Sequence, residues 1–130
     1  MAGYVTNIEK ATQDNDFFRK VLFSADHCQL VVMTIRPGEE IGLEVHHNID
    51  QFIRVEEGEG KCVLDGKESR IEDGSAIIIP AGTAHNIINT SPASKMKLYT
   101  IYSPPQHPRG TIHKTKADAD AAEALEITHR

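Results

Sequence analysis

The sequence predicts an all-β fold, a barrel or sandwich of short antiparallel strands followed by a short C-terminal α-helix. Three observations carry this. Short β-branched runs recur along the middle of the chain, cut at close intervals by glycine turns. Residues 51–57 alternate with a period of two, the mark of a half-buried strand. Asp65-Gly66 is a hairpin dipeptide between two further runs.

Element by element, residues 30–35 form a β-rich run that stops at the turn pair Pro37-Gly38. In 51–57, Gln51, Ile53 and Val55 share one face and Phe52, Arg54 and Glu56 the other. The aliphatic pair marks the first face as the inward one, so Gln51 is placed facing the core. Glu57-Gly58-Glu59-Gly60 turns the chain into a strand at 61–64, and Asp65-Gly66 returns it through 68–71. Glu72-Asp73-Gly74 leads into the apolar run 76–79, which ends at Pro80-Ala81-Gly82. Residues 85–89 and 97–102 supply two more strands. Pro104, Pro105 and Pro108 then forbid a continuing strand, because proline has no N–H to donate. Thr115 is a candidate N-cap for a helix with Ala117, Ala121, Ala124 and Leu125 on one side. That face is expected to pack outside the barrel or on a second subunit.

A chain of 130 residues suits one domain, since two cores of half that size would each be too small. Its expected parts are an N-terminal arm at 1–28, a core at 35–102 and a C-terminal proline-rich segment and helix at 103–130. A net charge of −5 without any basic block argues against nucleic acid or an anionic membrane as partner. No apolar run approaches the ~18 residues that span a bilayer. The first ten residues lack the charged-then-apolar layout of a secretory signal, so the expected compartment is the cytoplasm. Cys28 and Cys62 fit it as free thiols and are read as small buried hydrophobes.

Two segments have restrictive spacing. The first runs Gly38, five residues, Glu44, one residue, His46, four residues, Gln51, six residues, Gly58. The second runs Gly74, five residues, Pro80, one residue, Gly82, two residues, His85, three residues, Asn89. Fifteen residues lie between them, enough for one hairpin. Glu44 and His46, two apart on a strand, would point the same way and could grip one ion. Gln51 comes from the next strand, and His85 follows a turn that crosses the barrel. Two imidazoles, a carboxylate and an amide oxygen make a sulfur-free N/O set, suited to one divalent ion per chain: Mn, Fe, Ni, Co or Zn.

In these motifs the chain resembles the cupin superfamily, whose first motif is Gly-x5-His-x-His-x4-Glu-x6-Gly and whose second is Gly-x5-Pro-x-Gly-x2-His-x3-Asn. The second matches at every position. The first keeps every spacing, with Glu44 where the first His is usual and Gln51 where the Glu is usual. The resemblance covers about half the chain and implies a double-stranded antiparallel β-barrel, or jelly roll. It also implies metal ligation by Glu44, His46, Gln51 and His85. Similar proteins accept a neutral Gln in such sites: phosphomannose isomerases carry Gln-x-His in the first pair, and small uronate-acting cupins carry Gln in the Glu position.

The remaining histidines are read as structural or exposed: His27, His113 and His129, with His47 at the strand's end facing solvent or the mouth. Gly38, Gly58, Gly74 and Gly82 serve turns. Tyr99, Tyr102, Arg54 and His107 could reach the mouth but are read as packing or surface, and no residue is assigned as catalytic. Three functions follow: a metal-dependent isomerase- or lyase-type enzyme on a small sugar or hydroxy-carbonyl metabolite, as in mannose-6-phosphate-isomerase-like cupins; an iron-dependent dioxygenase; and a non-catalytic metabolite-binding module. Open sheet edges point to a homodimer, with residues 5–23 free to exchange onto a neighbour.

Overall fold

The computed structural model describes residues 2–128. Helix α1 (Ile8–Asp14) is capped by Asn7, whose side chain accepts from the Lys10 N–H at 3.0 Å. Nine strands follow: β1 (Arg19–Ser24), β2 (Gln29–Ile35), β3 (Asp50–Glu57), β4 (Glu59–Leu64), β5 (Lys67–Glu72), β6 (Ala76–Ile79), β7 (His85–Asn89), β8 (Met96–Ser103) and β9 (Ile112–His113). Helix α2 (Lys116–Thr128) closes the described chain. A six-stranded sheet in the order β6-β3-β8-β2-β1-β9 faces a three-stranded sheet in the order β5-β4-β7, and all pairings are antiparallel.

The period-two alternation decides which side chains meet between the sheets. Val31, Met33 and Ile35 of β2, Ile53 and Val55 of β3, and Met96 and Leu98 of β8 point inward, against Cys62, Ile71 and Ile87 of the smaller sheet. The β4–β5 hairpin turns on Asp65 (φ 48°) and Gly66 (φ 82°), the two left-handed residues that a tight hairpin turn needs. Gly60 answers a different demand. A Cβ there would collide with the Ile88 carbonyl oxygen and stand 2.5 Å from Met96 Cε, so a bare Cα lets β4 approach both neighbours.

The N-terminal segment is part of its own chain's barrel. β1 pairs with β2, and the buried Lys97 ammonium binds the end of α1 through Gln13 O at 2.8 Å, Asn15 O at 2.5 Å and Asp16 Oδ1 at 3.1 Å. An ammonium is well matched to carbonyls at a helix C-terminus. β1 is thus held by backbone pairing within its own chain, and the end of α1 by a buried cation.

Three expectations need correction. Cys28 is exposed, because it lies in the tight turn where Ala25 N donates to Cys28 O at 2.8 Å. Thr115 does cap α2, accepting from Asp118 N at 3.1 Å, but the buried face is centred on Ala119, with Ala117, Ala121 and Leu125 exposed. Alanine occurs all round this helix, so composition does not mark a face. The third, the strand expected to carry Glu44 and His46, is taken up below. No helix among the described residues is long and apolar enough to cross a membrane.

The Gly60 contacts make a direct forecast. Gly60→Ala overpacks a site with no slack and should cost about 1–3 kcal/mol in denaturant unfolding. A loss below about 0.5 kcal/mol, the range of a neutral surface change, would contradict the packing described.

Candidate metal centre

Residues 36–49 do not form a ladder strand. They run along the free edge of β7, joined to it by isolated bridges at Glu40↔Ile88 and Glu44↔His85. Between the bridges Gly42 (φ 107°) bends the backbone, and its N–H donates to Asn86 Oδ1 at 2.8 Å. That bend replaces the regular strand. Alternation nevertheless survives locally: Glu44 and His46 turn inward, while Val45 and His47 are exposed. Glu44 and His85 exchange both backbone hydrogen bonds at 2.9 Å, and Gly82 N donates to His46 O at 2.8 Å. The Pro-x-Gly turn therefore fixes His46 as well as His85.

One ligand atom from each of Glu44, His46 and His85 lies within 4.8 Å of the other two, an arrangement able to hold a metal ion. His46 Nε2 stands 2.9 Å from Glu44 Oε2 yet makes no well-directed hydrogen bond. The two atoms approach as neighbouring ligands of one ion would. The His46 and His85 rings are 5.2 Å apart, tilted by 50°. His85 Nδ1 lies 2.9 Å from Thr83 O, and a carbonyl only accepts, so Nδ1 carries a proton and donates this bond. Burial alone would raise the Glu44 carboxyl, but contact with His46 and the charges of His46, Arg19 and His85 outweigh it and hold the group below its ordinary value.

Gln51 sits on the inward face of β3, as its alternation requires, and is 5% exposed. Its Nε2 donates to the buried Thr100 Oγ1 at 3.0 Å. That bond fixes the amide's orientation and turns Oε1 the other way, where it has no partner among the described residues. Gln51 pairs in register with Tyr102, whose ring meets His46 edge-on at 6.1 Å.

Four side chains around this centre carry no motif signal. Arg19, at the head of β1, is 2% exposed and reaches the Tyr102 hydroxyl. Tyr102 is buried, and burial pushes its phenol above the ordinary range. His107 stacks edge-on against Tyr102 at 5.3 Å; burial, and then the Arg19 charge, push it down to about 3, so its ring is neutral. Gln29 holds the proline-rich segment in place. Its Nε2 donates to His107 O at 2.7 Å, and its Oε1 accepts from the N–H groups of His107 at 3.0 Å and Gln106 at 3.2 Å. Tyr99 and Arg54 lie on the opposite face of the sheet, with Phe52. His27 and His47 are exposed, and His129 lies outside the described residues.

A cupin-domain family model matches residues 31–102, more than half of the chain. The chain belongs to the cupin family. It is 50% identical over 127 residues to the uncharacterized protein YrkC of Bacillus subtilis (strain 168), spanning 92% of this cupin and 67% of YrkC. The crystal structure of BH2720 from Bacillus halodurans superposes with a TM-score of 0.90 at 48% identity, covering 92% of this cupin and 95% of that chain. A shorter similarity, 29% identity over 66 residues, reaches mannose-1-phosphate guanylyltransferase of Escherichia coli (strain K12), covering 51% of this cupin and 14% of that protein.

The Gln29 clamp can be tested separately from any metal. Gln29→Leu leaves the backbone groups of His107 without partners and should cost about 2 kcal/mol or more. It should also remove hydrogen-exchange protection from the His107 amide. Wild-type protection in the variant would show that the clamp does not hold the segment.

Proposed function

We propose that this cupin holds one divalent ion through Glu44, His46, Gln51 and His85 and acts as an isomerase- or lyase-type enzyme on a small sugar or hydroxy-carbonyl metabolite. The observation that carries this is Gln51 Oε1, a buried amide oxygen without a partner among the described residues. An unsatisfied buried amide costs about 1–3 kcal/mol, and a cation removes that cost. The donor set fits such an ion: one carboxylate, two imidazoles, one amide oxygen and no thiol.

The ion, when bound, supplies Lewis-acid polarisation of a substrate carbonyl. The rest falls to the chain. Glu44 contributes the one negative charge, and neutral Gln51 leaves more of the cation's field for the substrate. The Glu44 and His46 side chains are 21% and 11% exposed, so the centre is reachable from solvent, unlike a closed structural site. Tyr102 and neutral His107 add an uncharged wall. The stretch shared with the E. coli mannose-1-phosphate guanylyltransferase is the ground for including sugars in the substrate class. A second reading, an iron-dependent dioxygenase, draws on the same donors, since two histidines and a carboxylate also serve non-haem iron oxygenases.

Elemental analysis of protein purified without added metal is expected to give about one ion per chain, as a single four-ligand site requires. The ion should be lost in His46→Ala and in His85→Ala while the fold persists on its aliphatic core. Manganese, nickel, cobalt or zinc supports the Lewis-acid enzyme, and iron the dioxygenase. Unchanged metal content in both variants would remove the site. Gln51→Glu should hold the ion at least as firmly against a chelator, because carboxylate is the stronger donor. Faster metal loss with a lower Tm would take Gln51 out of the coordination shell.

A further inference from the structure

The centre has a second constraint beside it, a buried cation. Arg19 is 2% exposed, and its Nε has no hydrogen-bond partner among the described residues. The contacts it does make are with uncharged surfaces or a ring nitrogen: the Phe18 ring, whose centroid is 5.2 Å from its Cζ, His113 Nδ1 at 3.1 Å from its Nη1, and the Tyr102 hydroxyl. Among the described residues no carboxylate comes within 4.0 Å of it. A guanidinium carries five donors in a planar fork and stays charged at any working pH. Burying it without an anion is costly, and a buried arginine is normally matched by a carboxylate or phosphate.

The place of this cation is as informative as its state. Tyr102 is the shared neighbour: its ring is 6.1 Å from that of His46 on the metal side and 5.3 Å from that of His107, and its hydroxyl meets Arg19. His107 Nε2 is likewise buried and without a hydrogen-bond partner among the described residues. Glu44 and Glu123 of α2 both feel the Arg19 charge, and neither forms an ion pair with it. An ion held at one end of Tyr102 and an unmatched guanidinium at the other describe a molecule with two recognisable parts.

We propose that Arg19 is a substrate-binding residue that receives a carboxylate, so that the metabolite taken at the metal centre is an organic acid: a chelating pair of oxygens at one end and a carboxylate at the other. This rests on the metal-site reading above and narrows its substrate class. Arg19 does not touch the ion; it sets which substrates dock and in which direction. A carboxylate would pair with the Nε that has no partner among the described residues and offset the buried charge. The net charge of −5 disfavours anions in general, so a preference for an extra carboxylate must be local.

The test uses full-length protein loaded with Mn2+ and two pairs of acids, each pair differing by a carboxylate in place of a methyl group: malate with 2-hydroxybutanoate, and 2-hydroxyglutarate with 2-hydroxypentanoate. Both members of a pair chelate through the same hydroxyl and carboxylate, and two lengths allow for the span. Calorimetry on the wild type should show the diacid binding about tenfold tighter or better in at least one pair, as expected for a charge-assisted contact. In Arg19→Gln the ratio should fall to about one while Mn2+ affinity is undiminished, and Arg19→Lys should recover part of it. Wild-type protein that binds Mn2+ but shows no diacid preference in either pair overturns this inference and leaves the metal site standing. A preference that survives in Arg19→Gln overturns it too. Wild-type protein that takes up no ion overturns both readings. The wild-type ratio needs no variant, so the proposal stays testable even where Arg19→Gln does not fold.

Discussion

A buried amide oxygen without a partner among the described residues is the constraint on which the proposed site depends. Gln51 is committed twice: β3 alternation turns it into the core, and the Thr100 hydroxyl takes its N–H, fixing which end of the amide points where. That oxygen has no hydrogen-bond partner among the described residues. Glu44, His46 and His85 gather ligand atoms within 4.8 Å of one another. A cation answers both facts together, where a water would answer only the first.

Backbone pairing is what makes the gathering possible. Glu44 and His85 meet as direct partners across two short hydrogen bonds, and the turn before β7 also grips His46 through Gly82 N. The segment carrying Glu44 and His46 cannot be a regular strand, because the Gly42 bend and its Asn86 contact are needed to bring it against the edge of β7. At the other end of Tyr102 the chain has done the opposite. It buries a positive group, Arg19, among aromatic rings and gives it no nearby anion among the described residues. An acceptor-rich pole and a donor-rich pole thus share one wall, which Gln29 completes by holding His107 in place.

Much of this was legible in the residues. The inward face of β3, the limits of β6 and β7, the hairpin at Asp65-Gly66 and the inward turn of Glu44 and His46 all follow from period-two alternation and turn chemistry. These are local rules, and local rules read well from sequence. What escaped depends on contacts between distant parts of the chain. Arg19 heads a short strand and looks like a surface charge; only its pairing with His113 and the sheet order make it buried. Gln29 and His107 are 78 positions apart, and neither has a periodic neighbour to betray the clamp. The buried face of α2 is not legible because alanine surrounds that helix, and only Ala119 among its alanines is buried.

X-ray absorption at the edge of the native metal probes the central claim most directly, because it reports the donor atoms without requiring activity. Coordination by Glu44, His46, Gln51 and His85 predicts a first shell of nitrogen and oxygen alone near 2.0–2.2 Å, with outer-shell scattering from two imidazoles. A sulfur shell at about 2.3 Å, or a spectrum without imidazole scattering, would contradict it.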